Sequence, residues 1–151
     1  MAPVVVADWR RLAGVDPAVV WTTVADPARA TEWAPVASAT HMGGEVPAVG
    51  HTVFVGRRRR STTPEDAWRY RIVEWDAGHH YACEVTRPRA AGTERLDVAV
   101  TGEWDPVAPV TRVELCYRAE VAPLLRVLCR WRIASLLHRA LDGIERAVAR
   151  R

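Results

Sequence analysis

The fold is decided by the stretch PLLRVLCRWRIASLLHRALDGIERAVARR, residues 123–151, which is the longest uninterrupted helical pattern in the chain. Pro123 suits the first turn of a helix, where its missing N–H leaves no hydrogen bond unmade. Apolar residues recur at steps of three or four: Leu124, Leu128, Trp131, Ala134, Leu137, Leu141, Ile144 and Val148. We therefore predict one long helix over Pro123–Arg151 with this stripe against the core.

A helix of this length needs a large apolar surface to lie on, and the rest of the chain predicts a sheet. Seven segments have the composition of strands: Val4–Leu12, Val36–Met42, His51–Arg59, Ala67–Trp75, His80–Thr86, Thr93–Trp104 and Arg112–Val121. Apolar and polar residues alternate in most of them, which indicates a sheet with one face packed on the core and one face exposed to solvent. The turns between the last six are short, so these strands should pair antiparallel.

Two Asp-Pro pairs interrupt the strand series. Asp16 and Asp26 are good N-caps, each followed by proline at the first helical position, and they predict short helices over Pro17–Ala25 and Pro27–Trp33. The predicted fold is one α+β domain over residues 1–151, a curved seven-stranded antiparallel sheet wrapped around a long C-terminal helix. Such a helix fills only part of the concavity, which predicts a cavity of roughly 300–1,000 Å³.

Composition excludes several classes of protein. The 151 residues carry a formal net charge of +3, and 49% are hydrophobic, enough for one sizeable core. Three cysteines without a C-x-x-C pair argue against a disulfide framework or zinc knuckle, so we expect a cytoplasmic protein. No run reaches the roughly 20 apolar residues of a membrane span. Since no nucleic-acid, nucleotide or metal motif occurs, we expect no nucleic-acid partner, no cofactor and no metal.

Several short motifs, taken in order, resemble one known superfamily. They are Asp16–Trp21, Asp26-Pro27, Glu32–Pro35, Val49–Thr52, Trp68–Asp76, Val110–Glu120 and Pro123–Arg146. Over essentially its whole length the chain is similar to the SRPBCC, or START-like, superfamily, in the pattern of its polyketide cyclase/dehydrase-like members. The resemblance implies a helix-grip fold with a hydrophobic ligand cavity between sheet and helix. Because the superfamily includes cyclases, lipid carriers, hormone receptors and allergens, it implies no fixed catalytic triad.

Strand alternation directs one group of side chains toward the predicted cavity: Trp68, Tyr70, Tyr81, Val98, Leu115 and Tyr117. Phenol groups in an apolar cavity can orient or protonate a carbonyl-bearing ligand. As ordinary core aromatics, they would instead direct their hydroxyls to water or backbone. We predict Tyr70 and Tyr117 as catalytic residues and the other four as ligand-binding residues.

The long helix and one strand end supply the remaining candidates. The helix face through Leu128 and Trp131 reaches His138, so we predict the first two as ligand-binding residues and His138 as an acid/base group. Arg57 either holds a carboxylate or enolate at the cavity mouth or belongs to a solvated strand end. The pattern leaves open which face of His51–Arg59 points inward.

Two functions from different classes fit these residues. One is a cyclase, aromatase or dehydratase that folds a small hydrophobic, polyketide-like chain and moves protons. The other is a carrier or sensor of a small hydrophobic molecule without chemistry, and a convergent polar cluster in the cavity would distinguish the enzyme. A third option is an interaction partner that uses the arginine-rich outer face of the long helix: Arg126, Arg130, Arg139, Arg146 and Arg150. For the protein itself we expect a monomer or a homodimer.

Overall fold

The computed structural model describes residues 1–42, 48–56 and 66–151, with 41 and 42 described by their backbone only. These ranges contain seven strands: β1 (Ala2–Ala13), β2 (Ser38–Met42), β3 (Thr52–Gly56), β4 (Trp68–Asp76), β5 (His80–Thr86), β6 (Glu94–Glu103) and β7 (Val110–Val121). They also contain the helices α1 (Pro17–Val24) and α2 (Arg126–Ala149), and 3-10 helices at Pro27–Glu32 and Pro123–Leu125. None of these described helices is long and apolar enough to cross a bilayer.

The described strands form one antiparallel sheet in the order β1-β7-β6-β5-β4-β3-β2. From β2 to β7 each strand pairs with the next one along the chain, as short antiparallel connections allow. β1 pairs with β7 along its whole length, from Ala2 opposite Val121 to Ala13 opposite Val110. The predicted α+β architecture, with a long C-terminal helix and two short helices between the first two strands, is confirmed.

The two Asp-Pro pairs start the short helices, as the sequence predicts. The Asp16 carboxylate accepts a hydrogen bond from the Ala18 amide at 2.8 Å, and Asp26 accepts one from Ala28 at 2.9 Å. Each carboxylate satisfies a donor that the first turn leaves unpaired. The second helix is of the 3-10 type and ends at Glu32.

Alternation gives the sheet a buried inner face, which is clearest in β7. Its inner residues are all buried: Val113, Leu115, Tyr117, Ala119 and Val121. Strand register extends this face to β1 and β6, where Val6 and Leu96 lie opposite Tyr117. In β3 the inward residues are Val53 and Val55, which resolves the orientation that the sequence left open.

A β-bulge between Ile72 and Glu74 changes the alternation within β4. The extra residue places Trp75 opposite Tyr81 on the inner face, while Glu74 is exposed. The Trp75 ring stacks on Tyr81 with centroids 5.8 Å apart and lies 5.2 Å from the Trp21 ring of α1. The bulge therefore lets an aromatic cluster join α1 to the sheet.

The C-terminal half of α2 packs closely at a glycine. A Cβ atom at Gly143 would lie 1.8 Å from the carbonyl oxygen of Trp33, so two backbone segments are in direct contact. Arg10 of β1 holds the same turn through ion pairs with Asp142 at 2.9 Å and Glu145 at 2.7 Å. The hydrogen bond from Arg10 lowers the pKa of Asp142.

The N-terminal half of α2 departs from the prediction. Leu124 is 98% exposed, Leu128 53% and Trp131 69%, so this part of the predicted core stripe lies on the surface. Cys129 and Ile133 face inward instead, one residue and therefore about 100° further round the helix. Because both stripes are apolar, periodicity could not choose between them. The second half of the predicted stripe is buried as expected: Leu137, Leu141, Ile144 and Val148.

Candidate functional site

A cavity of about 240 Å³ lies between the inner face of the sheet, the segment after α1 and the inner face of α2. It is somewhat smaller than the range predicted from the sequence. Among the described residues, the sheet supplies Val55, Trp68, Tyr70, Tyr81, Cys83, Glu94, Leu96, Leu115, Tyr117, Ala119 and Val121. The remaining wall comes from Pro27, Ala30, Trp33, Ala34, Pro35, Val36, Arg87, Cys129, Arg132, Ile133, Leu136, Leu137 and Ala140. Most of these side chains are apolar, as a site for a hydrophobic ligand requires.

The predicted strand residues line this cavity with one exception. Trp68, Tyr70, Tyr81, Leu115 and Tyr117 all contribute to the wall. They come from β4, β5 and β7, and the common inner register of these strands brings them together. Val98 lies on the same face, but it is fully buried in the core and does not line the cavity.

The predicted residues of α2 do not reach the cavity. Leu128 and Trp131 lie on the exposed stripe, and the His138 side chain is 63% exposed, with Nδ1 3.6 Å from the Asp8 carboxylate. The prediction that these three side chains face the cavity is wrong, because the helix is rotated by about one residue from the expected orientation. Arg57 lies outside the described residues.

The polar centre of the cavity is a chain of three side chains, Tyr117, Glu94 and Arg87. The Tyr117 hydroxyl donates a hydrogen bond to Glu94 Oε2. Arg87 Nε lies 2.7 Å from the other carboxylate oxygen, Oε1. The Glu94 side chain is only 10% exposed, whereas Arg87 reaches solvent. Hydrogen bonds to charged groups are strong in such surroundings, so the phenol and the carboxylate are held in position to exchange a proton.

Sequence reasoning missed Glu94 and Arg87. The alternation that places Leu96 and Val98 inward also places Glu94 inward, because Glu94 lies two residues before Leu96 at the start of the strand. Because a charged residue at a strand end is more often solvated, Glu94 was not predicted as a cavity residue. Arg87 belongs to the loop after β5, where no periodicity applies, and only the folded chain brings it to Glu94.

Three further polar groups of the wall differ in what they can do. The Tyr81 hydroxyl donates to the Val24 carbonyl at 2.6 Å, and burial raises its pKa well above the ordinary value. Burial also raises the pKa of the Cys83 thiol to about 12, so this sulfur stays protonated and unreactive. The buried Trp33 Nε1 has no hydrogen-bond partner in the described part of the chain, which leaves an N–H donor in the cavity wall.

A second cluster of ionisable groups lies on the outer face of the sheet. Potential ligand atoms of Glu74, His80 and Asp97 lie within 4.8 Å of one another. Arg95 already lies among them, 2.9 Å from Glu74 and 2.8 Å from Asp97. Burial raises the pKa of Asp97, but hydrogen bonds from Arg95 and His80 outweigh it and keep that pKa low. Since a guanidinium supplies the positive charge here, we assign no metal to this cluster.

The curved sheet, the long helix it grips and the cavity between them define a helix-grip protein of the SRPBCC, or START-like, superfamily. The sequence agrees with this architecture along nearly all of its length. Residues 6–149 match the family described as "Polyketide cyclase / dehydrase and lipid transport", and the chain belongs to this family.

Solved structures share the fold at low sequence identity. A Thermobifida fusca protein solved by solution NMR has a TM-score of 0.73 at 19% identity, covering 99% of this chain and 95% of that chain. XoxI from Bacillus cereus has a TM-score of 0.71 at 13% identity, covering 97% of this chain and 96% of that chain. A Thalictrum flavum norcoclaurine synthase mutant, in complex with a transition-state analogue, has a TM-score of 0.65 at 13% identity, covering 99% of this chain and 98% of that chain. Such likeness shows the fold alone. A search of curated proteins found no match.

Proposed function

We propose that this protein is an enzyme of the cyclase, aromatase or dehydratase type, acting on a small hydrophobic, polyketide-derived ligand in the cavity. The observation that carries the proposal is the chain of Tyr117, Glu94 and Arg87 within a mainly apolar wall. A carrier needs only the apolar wall, whereas proton transfer needs a polar group that meets the ligand. The family description, which names cyclases and dehydrases, supports the same reading.

A dehydration illustrates the chemistry that these side chains can perform. Glu94 takes a proton from the carbon beside the ligand carbonyl, and a C=C bond forms as the C–O bond to the β-hydroxyl breaks. Tyr117 donates its proton to the departing oxygen, which leaves as water. Glu94 then returns its proton to the Tyr117 phenolate across the hydrogen bond that joins them, so both groups are restored. In a ring closure, the enolate carbon attacks a second carbonyl, whose oxygen takes the Tyr117 proton.

The neighbouring residues would support this exchange. Arg87 holds the Glu94 carboxylate at 2.7 Å and balances its charge. Tyr70 brings a second phenol to the cavity wall, and Trp33 brings an indole N–H that could bind a carbonyl oxygen. The apolar surfaces around them would fold the ligand and exclude water, which brings its reacting atoms together.

A carrier or sensor is the second candidate, favoured by the predominance of apolar residues in the wall and by the words "lipid transport" in the family description. The two candidates differ in what Glu94 and Tyr117 contribute. In a carrier they would only shape the cavity, so conservative changes would alter ligand affinity slightly and nothing else. In an enzyme the same changes would abolish proton transfer while binding persists.

The test measures turnover and binding in the same variants. Tyr117→Phe and Glu94→Gln keep side-chain size but each removes a proton-transfer group. On β-hydroxy aryl ketones, whose dehydration is followed by the absorbance of the conjugated product, we expect each variant to lose about 10²–10⁴-fold in turnover. His138→Ala is the matched control, because that side chain is exposed outside the cavity, and it should keep wild-type turnover.

Binding of an apolar fluorescent probe provides the second half of this test. The probe should bind both conservative variants, but Ile133→Trp should exclude it by filling the cavity. Leu128→Trp, on the exposed side of the same helix, should bind like the wild type. Unchanged turnover in Tyr117→Phe and Glu94→Gln would refute the proposed chemistry. Probe binding without turnover on any ketone would identify a carrier.

A further inference from the structure

The 3-10 helix Pro123–Leu125 and the first turns of α2 expose an apolar stripe, here named the helix-tip surface, formed by Leu124, Val127, Leu128 and Trp131. Their spacing of three and four residues places them on one side of the helix. Val127 is 82% exposed, and the other three are more than half exposed. Single exposed apolar residues are ordinary, but a contiguous set of large ones marks a surface that binds something.

The charged residues next to the helix-tip surface are all basic. Arg130 and Arg132 are exposed on the two sides of the stripe, and Arg126 is exposed one turn before Arg130. None of the three forms an ion pair with another described residue. The chain has no acidic residue from Val121 to Leu141, so no carboxylate within this segment offsets the arginines. The occupant must therefore offer negative charge over an apolar interior.

We propose that the helix-tip surface binds an anionic phospholipid membrane. The four apolar side chains would enter the boundary between headgroups and acyl chains, and the arginines would contact lipid phosphates. Trp131 suits this position, since the indole ring favours the interface between membrane and water. The helix would lie on the membrane without crossing it.

A second copy of the chain fits this surface less well. A twofold contact places the same patch on both partners, and here it would bring arginines against arginines. The stripe and its arginines span only residues 124–132, whereas a stable interface uses about 20–30 residues on each side. A bilayer of anionic lipid meets both requirements, because it supplies phosphate for the arginines and needs no matching shape.

Docking in this way would bring the cavity to the membrane. Arg132 is exposed at the helix-tip surface and also lines the cavity, and Cys129 lines it one turn earlier. A hydrophobic ligand could then pass between the lipid and the cavity with little exposure to water. This last consequence rests on the proposed function, whereas the binding of the surface to membranes does not.

Vesicle sedimentation tests the proposal with the full chain and no ligand. We expect binding to phosphatidylcholine vesicles that contain phosphatidylserine, little binding without it, and weaker binding as salt is raised. Val127→Glu should weaken binding by about tenfold or more, since it replaces an inserted side chain with a repelled one. Val107→Glu is the matched control: Val107 is 90% exposed in the turn before β7, at the opposite end of that strand, and its variant should bind normally.

A second measurement does not depend on a charged variant. Brominated acyl chains should quench tryptophan fluorescence on binding, and Trp131→Phe should remove most of that quenching. Trp104→Phe, which changes an exposed tryptophan just after β6, should leave it unchanged.

Three results would overturn the proposal. They are a wild-type protein that ignores anionic vesicles, equal losses in Val127→Glu and Val107→Glu, and quenching that survives in Trp131→Phe. If the wild type ignores vesicles and Val127→Glu converts a dimer to a monomer, the surface is an interface between copies. Probe binding by the cavity in solution is unaffected by these outcomes, so they leave the proposed function separately testable.

Discussion

Replacing Gly143 with alanine tests whether the contact between α2 and the chain at Trp33 sets the position of the helix. The new Cβ would lie 1.8 Å from the Trp33 carbonyl oxygen and 2.6 Å from its carbonyl carbon, while ordinary contact begins at 3.4 Å. The two segments would have to separate by about 1.6 Å, and the obstructing atoms are backbone atoms that no rotamer change can move. Overpacking costs about 1–3 kcal/mol and occasionally more. Because backbone atoms obstruct the new Cβ, we expect a cost at the upper end, about 3 kcal/mol. Alanine recovers about 1 kcal/mol through helix propensity, which leaves a net loss of about 2 kcal/mol.

Urea unfolding followed by circular dichroism measures this loss directly. For a chain of this size, about 2 kcal/mol corresponds to a fall in Tm of roughly 4–8 °C. The matched control is Gly102→Ala, whose Cβ would meet only the Cγ of Pro17 at 3.0 Å, a side-chain atom that can shift slightly. Since Trp33 lines the cavity, Gly143→Ala should also weaken probe binding. A Gly143→Ala protein as stable as the wild type would show that this contact does not position the helix.

Two further predictions concern other parts of the packing. Tyr81→Phe removes the donor to the buried Val24 carbonyl, and urea unfolding should show a loss of about 1–3 kcal/mol; unchanged stability would mean that the carbonyl finds another donor. The Arg10 hydrogen bond lowers the folded-state pKa of Asp142, so its stabilisation is complete above the unfolded-state pKa and is lost as pH falls through the folded-state pKa. Stability should therefore decrease below about pH 4, and it should decrease less steeply in Arg10→Met; equal slopes would contradict this origin.

The sheet was predictable because the alternation of apolar and polar residues within each strand indicates which side chains are buried. In β7, for example, Leu115 and Tyr117 are buried, whereas Arg118 on the outer face is exposed. The alternation along the strand is enough to predict this difference. The rotation of α2 was not predictable in the same way. Two apolar stripes compete for the inner side of its first half, and packing elsewhere, including Gly143 against Trp33, decides between them.

The same difference between strands and helix decided which residues of the candidate site could be predicted. Tyr70 and Tyr117 were found because strand alternation orients them, whereas His138 was misplaced because the error in helix rotation carried through to it. Glu94 could have been found by extending the β6 alternation to the first residue of the strand. Arg87 could not, because its approach to Glu94 depends on the path of a loop that follows no period.

The bulge in β4 also limits which insertions and deletions the chain can tolerate. If Val73 paired with Ala82 without a bulge, simple alternation would turn Glu74 into the aromatic cluster and Trp75 toward water. That pairing would take Glu74 away from Arg95 on the outer face and remove Trp75 from Trp21 and Tyr81 on the inner face. Deleting Val73 would instead leave Glu74 opposite Ala82 and Trp75 opposite Tyr81, so relatives that keep the ion pair and the aromatic cluster should either keep the bulge or lack this one residue.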